Sequence, residues 1–130
     1  MLKGLNDLSK KVHKNNCEKG FYDNKTEIGT KLMLCVSELG EAMEADRKGR
    51  KANFKEIVNL EKEGINWNNS PTILKDNFDC YIKDSFEDEI SDTMIRLLDL
   101  CGHLNIDIEK HIYHKLEYNK QRPYLHDKNY

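Results

Sequence analysis

The chain has 130 residues, 38% of them hydrophobic and 34% charged, with a formal net charge of −2. That balance describes a charge-rich globular protein and excludes a disordered polymer or a disulfide-built scaffold. A slightly negative charge also gives no general grip on a nucleic-acid polymer.

The length fits one domain, 1–130, with a core of its own. No apolar run reaches the roughly 20 residues that cross a bilayer. The start MLKGLNDLSKK lacks a signal peptide's apolar block, so a cytoplasmic location without membrane contact is expected. Cys17, Cys35, Cys80 and Cys101 form no C-x-x-C pair and read as reduced, partly buried thiols.

Only two prolines and seven glycines interrupt the chain, which favours helices. Leu2, Leu5, Leu8 and Val12 follow helical spacing up to Gly20 and predict a first helix over about residues 3–18. Asn24 and Glu27 resemble a capping box. Behind them Ile28, Leu32, Cys35, Val36, Leu39 and Met43 predict a strongly amphipathic second helix ending near Gly49. Residues 49–84 lose this periodicity and contain the turn-prone GINWNNSP. They read as an irregular insertion or lid over about 50–84, with one short helix around Asn53 to Glu63 and Trp67 packing inside it. Phe86, Ile90, Met94, Leu97, Cys101 and Leu104 mark a third long helix, interrupted by Gly102 and a cap region at Asn105 to Asp107. Ile108, Ile112 and Leu116 line a fourth until Pro123 stops it. The expected fold is all-α, a four-helix-type bundle.

Two of these helices carry matched acidic pairs. SELGEAMEA places Glu38 and Glu41 one turn apart, and EDEISD does the same for Glu89 and Asp92. At about 100° per residue, each pair lies roughly 100° to 170° around from its own helix's apolar stripe, so the pairs can face each other. Four carboxylates brought together repel and resist ionised burial unless cations stand between them. Oxygen-only ligands select hard ions such as Mg²⁺ or Mn²⁺, whereas a di-iron bundle would show Glu-x-x-His on its metal helices. The alternative is that all four are solvated helix charges, as Glu44, Glu87 and Asp88 are taken to be. Gly40 lies inside the second helix, where glycine costs on the order of 1 kcal/mol relative to alanine, which points to close approach or tight helix packing. Arg96 reads as an ion-pair partner of Asp92, one turn earlier.

The segments VHKNNCEKGFY, KLMLCVSELGEAMEADRKGR and FEDEISDTMIRLLDLCGHLNIDIEKHIYHKLEYNKQRPYLH resemble the MazG-like nucleotide pyrophosphohydrolases of the all-alpha NTP pyrophosphatase superfamily. The resemblance covers most of the chain outside 50–84. It implies an enzyme that cleaves an NTP or dNTP to the monophosphate and pyrophosphate, working as a homodimer or homotetramer. Mg²⁺, with Mn²⁺ as substitute, would be bound by Glu38, Glu41, Glu89 and Asp92, and Glu41 with Glu38 would serve catalysis. Lys115, Asn119, Arg122 and Tyr124 would contact the phosphates, with Lys120 and His126 beside them, and His13 would lie near the nucleotide. Positive charge and an amide at one helix end suit a triphosphate independently of the resemblance, although a basic helix end also complements the helix dipole. His111 and His114 lack further nearby ligands and read as ordinary surface histidines. Two other classes keep the same residues: a catalytically silent nucleotide or metal sensor, and a helical interaction module.

Overall fold

A computed structural model describes residues 3–127. They form six α-helices and a short 3-10 turn, with no strand: α1 Leu5–Glu18, α2 Ile28–Arg47, α3 Lys55–Lys62, α4 Pro71–Tyr81, α5 Phe86–His103, α6 Ile108–Lys120 and the turn Tyr124–Asp127. The expected all-α class is found. Leu2 and the His126 side chain lie outside the described residues.

The segment read as an irregular insertion holds two helices instead of one. The GINWNNSP piece is the connection between them, closed by Asn66 Oδ1 accepting from the backbone of Asn68 and Asn69, after which Pro71 occupies the first turn of α4, where its missing N–H costs nothing. Ile57 on α3 and Leu74 on α4 are buried, as is Ile82 just after α4. Each run is too short to show a helical period in sequence. The capping box at Asn24 does not form: α2 starts at Ile28, and Asn24 instead offers its carbonyl to Thr26 Oγ1 in a local turn.

The chain divides into two compact units, Gly29–Arg96 and Met1–Ile28 with Leu97–Tyr130. In the Gly29–Arg96 unit, α2 buries Cys35, Glu38, Ala42 and Ala45. That face is turned by about 100° from the stripe of large apolar side chains. Leu32, Val36, Leu39 and Met43 therefore remain roughly half exposed, Met43 at 54%. Of the apolar residues that mark α2 in sequence, Cys35 alone is buried. The face turned inward carries Glu38 with the small residues Ala42 and Ala45. Gly40 meets no neighbour at all, so the close approach expected of it is absent among the described residues.

In the other unit, the start of α1 interlocks with the start of α6. Asp107 caps α6 by accepting from Lys110 N, and Asn6 reads the same helix end, its Nδ2 donating to Asp107 Oδ1 and its Oδ1 accepting from Ile108 N. Ser9 is buried and donates to the Leu98 carbonyl at 2.6 Å. Gly102 does not interrupt α5, which runs through it to His103. A Cβ there would stand 2.7 Å from both the Ser9 carbonyl oxygen and His13 Cβ, so α1 crosses α5 at a point only glycine allows. Asn105, with φ of 54°, then turns the chain toward α6.

These contrasting glycines give a test. Gly102→Ala should lower stability by about 1–3 kcal/mol through overpacking against backbone, whereas Gly40→Ala should raise it by up to about 1 kcal/mol through helix propensity. Chemical denaturation of both variants checks the opposite signs.

Candidate metal centre

The acidic residues are delivered by how α5 begins and which face α2 buries. Ser85, itself buried, accepts from Asp88 N at 3.2 Å, and Asp88 Oδ2 accepts from Asp84 N at 2.9 Å, closing the first turn of α5. Glu87, Asp88 and Glu89 occupy that turn, where the helix dipole favours negative charge. Glu87 is used structurally, its Oε2 accepting from Ala52 N at 2.8 Å and tying the 50–54 segment to α5.

Glu38 from α2 and Glu89 and Asp92 from α5 each place a carboxylate oxygen so that the three lie within 4.8 Å of one another. Glu38 and Glu89 are buried. Glu41 is exposed and falls outside that group. Three of the four expected carboxylates, Glu38, Glu89 and Asp92, therefore come together inside one unit, and Glu41 is not among them.

The electrostatics follow from that crowding. Burial pushes Glu89 up to about 7, and the neighbouring carboxyls of Glu41 and Glu38 add to the shift. Asp92 is also raised, by burial first and then by Asp88 and Glu38, while Arg96 opposes the shift. Arg96 donates from Nε to Glu38 Oε1 at 2.6 Å, so it pairs across the two helices and not with Asp92 as its spacing suggested. A largely dehydrated carboxylate demands a cation more strongly than a half-exposed one.

The donor set suits a hard divalent cation. An octahedral ion at about 2.1 Å from its ligands spans about 3 Å between adjacent oxygens and about 4.2 Å between opposite ones. Three carboxylate oxygens within 4.8 Å of one another can approach that spacing through side-chain adjustment. A second group, Asp84, Asp88 and Glu89, shares Glu89 and has the same spread. The sequence suggests a solvated charge at Asp88, and the structure places it in this group. Its place one turn before Asp92 was the available signal, whereas Asp84 lies outside the helix and gave none.

A cavity of about 280 Å³ adjoins these residues. Phe54, Phe78, Ile82 and Ile95 form its apolar wall, and Asp88 and Asp92 lie on its acidic side. Sequence reasoning missed Phe54 and Phe78, because both belong to the segment treated as irregular. Trp67 stands edge-on to Phe78 with ring centroids 6.5 Å apart.

The residues expected to bind phosphate belong to the other unit. Lys115 and Asn119 are one turn apart on α6, hence on one face, and Arg122 follows just beyond the helix end. Lys115 Nζ lies 4.9 Å over the Tyr118 ring, and with His111 and His114 it lines an open groove. Asn119 Oδ1 is buried with no hydrogen-bond partner. Tyr124 is 91% exposed, and Lys120 pairs with Glu117 at 2.6 Å. His13 has both ring nitrogens engaged, Nδ1 with Asp99 and Nε2 with Cys17.

No family model matches the chain, and neither the curated proteins nor the solved structures contain a match to it.

The raised carboxyls fix a pH dependence. A group whose folded pKa exceeds its unfolded value stabilises the fold below the unfolded value and loses that contribution as pH rises through the folded one. Between about 4.5 and about 7, Glu89 should therefore make the metal-free protein less stable as pH increases, and Asp92 acts in the same direction. Melting curves in chelator across this window should fall with pH, and Glu89→Gln should flatten the fall.

Proposed function

We propose that the chain is a Mg²⁺-dependent nucleoside triphosphate pyrophosphohydrolase of the MazG-like kind, releasing pyrophosphate from an NTP or dNTP. The observation that carries this reading is the convergence of Glu38, Glu89 and Asp92 from two helices, with Glu41 alongside. The resemblance of the same helices to that family points the same way.

Glu38, Glu89 and Asp92 would hold the cation, with Glu41 completing the set. When bound, Mg²⁺, or Mn²⁺ in its place, supplies Lewis acidity to phosphate oxygens and lowers the pKa of a water. Glu41 is the exposed member of the group and accepts the proton of the attacking water. Arg96 holds Glu38 in place through its Nε bond. Phe54 and Phe78 offer a flat heterocycle an apolar wall within a cavity of about 280 Å³, room for one base. Lys115, Arg122 and Tyr124, in the other unit, are the phosphate contacts that the resemblance implies. The orphaned Asn119 Oδ1 calls for a donor that a ligand would provide.

The exposed stripe of α2 supports a homo-oligomer. Leu32, Val36, Leu39 and Met43 form a continuous apolar strip, each about half exposed, with an area on the order of a few hundred Å², at the upper end for a monomer. A second copy using its own stripe buries both strips at once, as a two-fold interface requires, and supplies a large part of the roughly 800 Å² per partner of a stable dimer.

Incubation with a panel of NTPs and dNTPs should release pyrophosphate only when Mg²⁺ or Mn²⁺ is present. Alanine at Glu38, Glu41, Glu89 or Asp92 should each reduce turnover on the order of a hundredfold or more while leaving the helical spectrum unchanged. Cation-dependent nucleotide binding without turnover would identify a sensor, and neither would identify an interaction module. Leu39→Glu should shift the sedimentation coefficient to that of a monomer, and a wild-type chain that sediments as a monomer removes the oligomer from the proposal.

A further inference from the structure

The His13 neighbourhood is built like a nucleophile site. His13 and Cys17 lie four residues apart on α1, which puts them on one face, and Cys17 Sγ is 3.5 Å from His13 Nε2. The other ring nitrogen, Nδ1, is 3.0 Å from Asp99 Oδ1 on α5. Asp99 is buried and also accepts from the Tyr22 hydroxyl at 2.7 Å. Burial and the adjacent Asp99 push the Tyr22 hydroxyl far above the ordinary phenol range, so Tyr22 stays a donor.

A carboxylate can only accept, so Asp99 places the imidazole proton on Nδ1 and leaves Nε2 as a bare acceptor facing the thiol. Tyr22 packs edge-on to the His13 ring at 4.6 Å between centroids, and His103 lies at 5.4 Å, which holds the ring plane. Gly102 sets the register, since any side chain there would strike His13. This is the nucleophile, base and orienter arrangement that activates Ser or Cys in unrelated enzymes. It does not form a metal site: the groups of described residues able to hold an ion contain only carboxylates.

We propose that Cys17 is an activated thiol that reacts with hydroperoxides, forming a sulfenic acid, with His13 as its base and Asp99 as a positioning residue. The sulfur is exposed and free, so a small electrophile reaches it from solvent. His13 Nε2 takes the thiol proton as the sulfur lone pair attacks one peroxide oxygen. The S–O bond forms, the O–O bond breaks with its electron pair leaving on the distal oxygen, and that oxygen takes the proton back from His13 to depart as water or alcohol. The sulfur loses two electrons and the peroxide gains them. The proposal stands independently of the phosphohydrolase reading.

The chain carries its own controls. Cys80 is equally exposed but belongs to the Gly29–Arg96 unit, a stretch of sequence without a histidine. Cys35 is buried and reports unfolding. The native protein is treated with limiting iodoacetamide, or with hydrogen peroxide and dimedone, and the adducts are quantified by peptide mass spectrometry. Cys17 should be labelled at least about tenfold faster than Cys80 by both reagents. His13→Gln should bring the two rates together while Cys35 stays unlabelled. Asp99→Asn should lower the Cys17 rate with His13 still present, and a purely structural Asp99 would raise Cys35 labelling instead. Equal rates at Cys17 and Cys80 in the wild type, or an undiminished Cys17 rate in a folded His13→Gln variant, overturn the proposal. Should His13→Gln expose Cys35, the wild-type ratio alone decides.

Discussion

Two carboxylates withdrawn from water on facing helices repel each other unless a proton, a guanidinium or a metal ion stands between them. Glu38 and Glu89 are in that position, and much of the Gly29–Arg96 unit is arranged around it. Helix α2 turns Glu38, Ala42 and Ala45 inward and leaves Leu32 and Leu39 about half exposed. Arg96 answers Glu38, and the proton held by the raised Glu89 relieves what remains. Asp88 and Asp92 extend the negative region to the edge of a cavity whose other wall is aromatic. A divalent cation bound there, as proposed, would replace proton and repulsion together.

The same constraint explains what sequence could and could not reveal. Long helices with a clear period, α1, α2, α5 and α6, were legible to within a few residues because three- and four-residue spacing persists over several turns. The acidic pairs were legible because two independent helices offered the same offset. Which face α2 buries was not, since hydrophobicity pointed to Leu32, Val36, Leu39 and Met43, whereas the buried face holds Cys35, Glu38, Ala42 and Ala45. α3 and α4 escaped notice because each spans few turns and the asparagine-rich link between them reads as loss of order. With them went Phe54 and Phe78.

Long-range pairings were beyond reach for a different reason. Arg96 had a plausible local partner in Asp92, and only the folded chain shows that a buried carboxylate 58 residues away outbids it. Cys17 and His13 are neighbours in any helical reading, yet their chemistry depends on Asp99, 86 residues beyond His13. A glycine without a side chain, Gly102, fixes where that partnership forms, although in sequence it looked like a helix stop.

If two copies pair through it as proposed, the uncovered stripe of α2 makes protein concentration a thermodynamic variable. Apolar surface left in water by the isolated chain is recovered only on association, so an assembling chain draws part of its stability from mass action. Its melting temperature then rises with protein concentration. A dilute turnover assay and a concentrated spectroscopic measurement would sample different populations of the same molecule.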